Sequence, residues 1–158
     1  LYNNKKINEV NHIAKLGLEP FSKKLVVSYF KNNIKNKSVN IKVLLMDQTF
    51  ICGLGNIYVN EVLFMSNVNP LRKCKNLNNN EIKKIILNIK SVLKLAISKG
   101  GSSIKDFNNT NGKSGTFQQL FKVYGREKKL CSSIPCKGII KKINISNRSS
   151  FFCSKCQK

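Results

Sequence analysis

The chain has 158 residues, enough for one or two small domains, and its 29 Lys and Arg against 7 Asp and Glu give a formal net charge of +22. A field of that sign draws in polyanions and opposes self-association, so a nucleic acid is the natural partner and a monomer the expected state. No run approaches the roughly twenty apolar residues of a membrane helix, and Leu1 to Asn11 is polar and basic without an apolar middle, so no membrane or secretory role is expected.

Only Arg72, Arg126 and Arg148 are arginine, and Asn and Ile abound, as an AT-rich coding sequence would impose. That bias inflates the charge, but AT-biased codons for Asp and Glu exist, so the shortage of acid remains a signal. The reducing cytosol is the expected compartment.

In chain order, residues 1–15 have no start signal of their own and read as the remnant of an upstream domain or a linker; His12 there has no partner at ligand spacing. Residues 16–101 read as helical. Ser22 can cap a helix through Leu25, Val26, Tyr29 and Phe30, Ser38 a short one through Ile41, Leu44 and Leu45, and a third should start near Asn56. The longest is expected over Glu81 to Lys99. There Ile82, Ile85, Ile86, Ile89, Leu93 and Ala96 recur at helical spacing, with Lys83, Lys84, Lys90 and Lys94 opposite, and Gly100-Gly101 closes the helix. Ser102 to Gly115 is polar and without period, either a surface linker or a loop that closes over a ligand. Strands are expected at Phe121 to Tyr124, Ile139 to Ile145 and Ser150 to Phe152, the last two pairing as a hairpin.

That hairpin sits inside Cys131-x4-Cys136-x16-Cys153-x2-Cys156. Two close cysteine pairs can place four thiolates about 2.3 Å from one zinc ion, which then supplies the folding energy so short a segment lacks. The competing reading is a pair of disulfides or chance clustering; the missing secretory signal favours zinc. Cys52 and Cys74 lie outside the pattern and read as buried or idle thiols. A second motif, Gly53-Leu54-Gly55-Asn56-Ile57-Tyr58, is a glycine turn entering a helix. Glycines permit close approach and positive φ, Asn56 suits the N-cap, and free N-H groups at a helix start attract phosphate. It lacks the third glycine of a dinucleotide fingerprint and the Gly-Lys-Ser/Thr of a P-loop.

Leu16-Gly17-Leu18-Glu19-Pro20-Phe21, Leu45-Met46-Asp47-Gln48, Gly53 to Tyr58, Gly100 to Phe107, Val123-Tyr124-Gly125-Arg126 and Cys153-x2-Cys156-Gln157-Lys158 resemble, in order, the C-terminal part of bacterial formamidopyrimidine-DNA glycosylase. The resemblance implies a mainly α fold: a helix-two-turns-helix DNA-binding bundle over 16–101, a lesion-recognition loop and connector over 102–127, and a β-hairpin zinc finger over 128–158. Cys131, Cys136, Cys153 and Cys156 would hold one structural zinc, although the family usually has two residues between the first pair. Asn56, with Gly55 before it, would bind a phosphate beside the lesion. Arg148 would reach a phosphate from the finger tip and serve as proton donor in δ-elimination, and Lys37 and Lys105 would add backbone contacts. Ser102, Ser103, Ile104, Asp106 and Phe107 fall in the loop that holds the flipped base.

The implied activity is removal of 8-oxoguanine and formamidopyrimidines from damaged duplex DNA with β,δ-elimination at the abasic site, in the bacterial cytoplasm or nucleoid. The family's chemistry starts at an N-terminal proline with a neighbouring glutamate on a β-sandwich. Leu1 and Tyr2 do not match these, so the chain alone is expected to be inactive, with a separate N-terminal catalytic fragment as a further candidate partner. The competing expectation is a non-catalytic zinc-finger protein that binds DNA or RNA.

Overall fold

A computed structural model describes residues 14–102 and 115–158. Among them are four α-helices, α1 (Val27–Ile34), α2 (Ile41–Met46), α3 (Asn56–Met65) and α4 (Asn79–Ser98), followed by an antiparallel hairpin of β1 (Ile140–Ile145) and β2 (Arg148–Cys153). The readings of His12, of residues 1–13 and of residues 103–114, which include Lys105 and most of the polar loop, lie outside the described residues.

Helix α3 carries the core. Residues Val59 through Phe64 are all buried, so this helix is covered on every side, as a helix apolar all round must be. Helix α4 lies against it with the expected stripe: Ile82, Ile85, Ile86, Ile89, Leu93 and Ala96 are buried, and Lys83, Lys84 and Lys94 face solvent. Its start is two residues earlier than expected because Asn78 and Glu81 form a capping box, Glu81 N-H donating to Asn78 Oδ1 at 2.9 Å and Asn78 N-H to Glu81 Oε2 at 2.8 Å. Its end is the glycine pair, both at positive φ (70° and 83°), with Gly101 N-H donating back to the Ala96 carbonyl.

Two turns separate α2 from α3. In the first, Asp47 Oδ1 accepts from the Thr49 N-H and hydroxyl at 2.9 and 2.7 Å, and the Phe50 N-H closes back on the Asp47 carbonyl. Those bonds favour the ionised acid, and the Thr49 hydroxyl foremost holds the Asp47 carboxyl below its usual range. In the second turn Gly53 takes φ 79°. The Gln48 side chain ties the turns together, accepting from Gly53 N-H at 2.8 Å and donating to the Leu54 carbonyl at 3.1 Å. Gly17 runs against this segment, where an added Cβ would collide with the Phe50 and Thr49 carbonyls.

Three expectations fail for local reasons. Ser22 caps no helix: its hydroxyl accepts the Lys24 N-H within a turn, and α1 begins only after Val26. Ser38 likewise precedes the start of α2, whose N-cap is Asn40. Residues 121–124 form no strand, because the N-H groups of Lys122, Val123 and Tyr124 are taken by the Glu61 side chain. The hairpin holds, but β2 starts at Arg148, two residues before the expected Ser150. Ser146 and Asn147 link its strands, both at positive φ (47° and 58°), which is a two-residue turn whose twist suits a hairpin.

Candidate nucleic-acid interface and metal centre

The outer edge of β2 is paired, group by group, with side chains instead of a third strand. The Ser149 carbonyl accepts from Lys42 Nζ at 3.0 Å and from Asn56 Nδ2 at 3.2 Å. Two residues on, Phe151 N-H donates to Asn60 Oδ1 at 2.7 Å, and two further on, Cys153 N-H donates to Gln157 Oε1 at 2.9 Å. Gln157 in turn donates to the Val68 carbonyl at 2.8 Å. An unpaired strand edge invites association with other chains; here side chains of α2, α3 and Gln157 close it. Every one of these bonds joins the finger hairpin to the helical bundle or to its own last turn.

Lys42 is the least expected member. It lies on α2 at 1% exposure, with Nζ also 2.6 Å from Ser150 Oγ. Burial, and then the neighbouring Arg148 guanidinium, lower its pKa to about 8. Lys37, Val39, Lys42, Val43, Met46, Asp47, Ile145 and Arg148 are among the residues lining a cleft of about 620 Å³ between α2 and the hairpin tip. The buried Lys42 lies among its apolar lining, and Lys37 and Arg148 are exposed. Asn56 is the first residue of α3 and is hooked to the main chain next to Arg148. The N-cap is Gly55, not Asn56, and the Asn56 side chain bonds across to the finger instead of capping its own helix. Gly55 has φ −90°, and a Cβ there would make only an ordinary contact with Tyr58 at 3.8 Å, so neither backbone strain nor crowding inside the protein demands glycine.

One turn further along α3, Glu61 is 3% exposed and accepts three main-chain N-H groups: Lys122 at 2.9 Å, Val123 at 3.0 Å and Tyr124 at 2.9 Å. A carboxylate that takes three successive N-H groups leaves none for a ladder, which is why no strand forms there. A run of ring contacts, Tyr58 to Phe117, Phe117 to Phe121, Phe121 to Tyr124 and Tyr124 to Phe151, at 5.9, 5.4, 5.6 and 5.0 Å, continues the connection from α3 to the finger.

The four cysteines of the spaced pairs converge. Their sulfurs all lie within 4.8 Å of one another, and Cys131 to Cys156 and Cys136 to Cys153 are each 3.7 Å apart. A tetrahedron with about 2.3 Å metal-sulfur bonds has edges of about 3.8 Å, so the thiols fit one tetrahedral ion, wide first spacing included. Gly138 completes the cradle: its N-H points at Cys136 Sγ at 3.4 Å, and a Cβ would meet Cys153 Sγ at 2.5 Å. Phe64, Val123, Ile140 and Phe151 are the apolar cover of the centre. Cys74 is buried far from this cluster in the helical core, its thiol pushed up to about 11 by burial, and Cys52 is half-buried in the second turn.

Of the residues singled out in the sequence, Lys37 and Arg148 share one cleft, Gly55 and Asn56 start α3 beside it, and the cysteines form one cluster. Ser102 is bridged to Thr116. Ser103, Ile104, Lys105, Asp106 and Phe107 are outside the described residues. Missed were Lys42, Asn60, Glu61 and Gln157. Asn60-Glu61 inside the apolar run Ile57 to Met65 was a visible signal, since polar groups on a buried helix require partners.

The family profile described as "Formamidopyrimidine-DNA glycosylase H2TH domain" matches residues 16–108. The formamidopyrimidine-DNA glycosylase of Prochlorococcus marinus subsp. pastoris is 41% identical over 151 residues, 96% of this chain and 51% of that protein. A complex between the Lactococcus lactis Fpg and an abasic-site-containing DNA matches with a TM-score of 0.89 at 30% identity, covering 99% of this chain and 57% of that one. The complex of the L. lactis FPG mutant G226P with a Fapy-dG-containing DNA matches equally, with a TM-score of 0.89 at 30% identity over 99% and 57% of the two chains. The chain thus spans about half the length of the relatives it matches.

Proposed function

The chain belongs to the formamidopyrimidine-DNA glycosylase family, and from that premise we propose that it is the DNA-gripping half of a base-excision-repair enzyme. The whole enzyme would remove oxidised purines from duplex DNA and cleave the abasic site by β,δ-elimination. The observation that carries this reading is the junction of α3 and β2. Asn56 on α3 bonds to the residue beside Arg148 on β2, and Arg148 shares a cleft with Lys37 of the α1–α2 connection, so three candidate phosphate contacts are linked at one junction.

The roles follow from the groups. The free start of α3 and the second Asn56 amide proton would take one backbone phosphate, with Gly55 leaving room for close approach. The Arg148 guanidinium would take another bidentately and would be the proton donor of δ-elimination; Lys37 would add charge without shape. Residues Ser102, Ser103, Ile104, Asp106 and Phe107 would form the loop over the flipped base, and Lys105 would add a backbone contact. Zinc held by Cys131, Cys136, Cys153 and Cys156 would supply the folding energy of the finger. We place a helix-two-turns-helix domain at 16–101, a loop and connector at 102–127 and a finger at 128–158, in a cytoplasmic protein acting as a monomer.

The test is binding by the zinc-loaded chain to a duplex with a central abasic-site analogue, to the unmodified duplex and to double-stranded RNA, with base release from an 8-oxoguanine duplex followed in parallel. The expected result is binding that weakens with salt, favours the damaged duplex and releases no base. Preference for RNA would replace this reading with that of an RNA-binding finger protein. Full-rate excision by this chain would overturn its role as the non-catalytic half.

A further inference from the structure

Asn60 stands between the two proposed phosphate contacts without belonging to either. It is 2% exposed and lies one helical turn after Asn56 on α3. Its Nδ2 donates to the Asn56 carbonyl at 2.7 Å and lies 3.4 Å from Asn56 Oδ1, while its Oδ1 accepts the Phe151 N-H at 2.7 Å. Phe151 is three residues along β2 from Arg148. One amide thus bonds to the first residue of α3 through its donor and to the strand that begins with Arg148 through its acceptor. Two residues away Lys42 and Asn56 share the Ser149 carbonyl, and Lys42 also donates to Ser150 Oγ, but neither side chain bonds to the main chain of both α3 and the strand as the Asn60 amide does.

We propose that Asn60 is a positioning residue that couples Asn56 and Arg148 into one rigid phosphate clamp. The inference rests on the DNA-binding reading above. Two phosphates on a duplex stand at a set separation, so two contacts held at a matching separation gain from each other, because the second costs no further ordering once the first is made. Contacts free to move relative to one another bind as independent groups whose losses simply add. Asn60 has no route to the ligand itself, being covered by α3 and the hairpin, so its effect is on the relation between the two contacts.

The experiment is a double-substitution cycle on the zinc-loaded chain with the abasic-site duplex. Affinities are measured for Asn56→Ala, Arg148→Ala and both together, first with Asn60 present and then in an Asn60→Leu background, which removes both amide bonds at similar volume. With Asn60 present the combined loss is expected to fall short of the product of the single losses by roughly fivefold or more. With leucine the product rule should hold within about twofold, while zinc content and far-ultraviolet dichroism stay unchanged. Asn60→Ala, which has no polar atom to make either bond, serves where leucine does not fold and should give the same additivity. An equal coupling factor in both backgrounds overturns the inference, whatever Asn60→Leu does to overall affinity. So does additivity with Asn60 present. A wild-type chain that does not bind the duplex overturns the functional reading and this inference together, so the two failures are told apart.

Discussion

The Lys42 ammonium donates to the Ser150 hydroxyl at 2.6 Å, joining the shortest helix of the bundle to the middle of the finger's second strand. Few lysines are held with so little contact with water, and this one sits beside Arg148. Its charge is unfavourable to the folded state because burial first, and the like charge second, oppose it.

The sign of the pH effect follows. With a folded pKa of about 8 against 10.5 unfolded, the unfolded chain binds more protons between those values, so stability rises with pH across that window. The penalty is fully present below about pH 8 and fades above it. Wild type compared with Lys42→Met by denaturant unfolding of zinc-loaded protein should gain on the variant by at most about 1.4 kcal/mol per pH unit through the window. A difference that stays flat from pH 7 to 10.5 contradicts the burial of a titrating amine.

Glu61 holds 122–124 with three N-H bonds, and an amide in its place turns one acceptor oxygen into a donor facing an N-H. Glu61→Gln should cost about 1.5 to 3 kcal/mol, the usual range for a hydrogen bond to a charged group. Hydrogen exchange should accelerate first at Lys122, Val123 and Tyr124. Unchanged protection there, with or without a loss of stability, would show that the carboxylate does not hold the segment.

Much of this architecture was legible as pattern. The isoleucine stripe of α4 has a period that only a helix satisfies, and Cys131, Cys136, Cys153 and Cys156 have a spacing that few purposes require. The glycine turn before Asn56 marked the start of α3 to within one residue. What pattern could not give was the join between bundle and finger. Phe121 to Tyr124 reads as a strand because Phe121, Val123 and Tyr124 are β-favouring residues; it is not one because Glu61, 62 residues before Val123, takes the backbone. Lys42 reads as one lysine among 29 basic residues, and nothing local distinguishes the one that is buried. Side chains that pair with a distant strand edge leave only a weak local sign, a polar residue where the helix has no water to offer it.

Gly138 should prove indispensable to the metal centre. A Cβ there would lie 2.5 Å from Cys153 Sγ and 3.2 Å from Cys136 Sγ. Gly138→Ala is expected to lower zinc affinity by about tenfold or more in competition with a chromophoric chelator. Affinity equal to wild type would mean that the thiols close around the ion in some other arrangement.

Stripping the metal should separate the two parts of the molecule. The helical core, built around Phe30, Leu45, Leu63 and Ile85, is self-contained, whereas the finger's apolar cluster is small and two of its buried members are thiols. Chelation is therefore expected to leave helical dichroism nearly intact, to abolish protection of the β1 and β2 amides and to remove duplex binding. Retained binding without zinc would exclude the finger from the proposed grip.

The most direct measurement is the salt dependence of duplex affinity for the wild type and for Arg148→Ala. If the guanidinium at the hairpin tip neutralises one phosphate, the slope of log affinity against log salt falls by about one in the variant, by the same amount on damaged and undamaged sequences. An unchanged slope, with affinity lost or not, would contradict the assignment of Arg148 to a DNA phosphate.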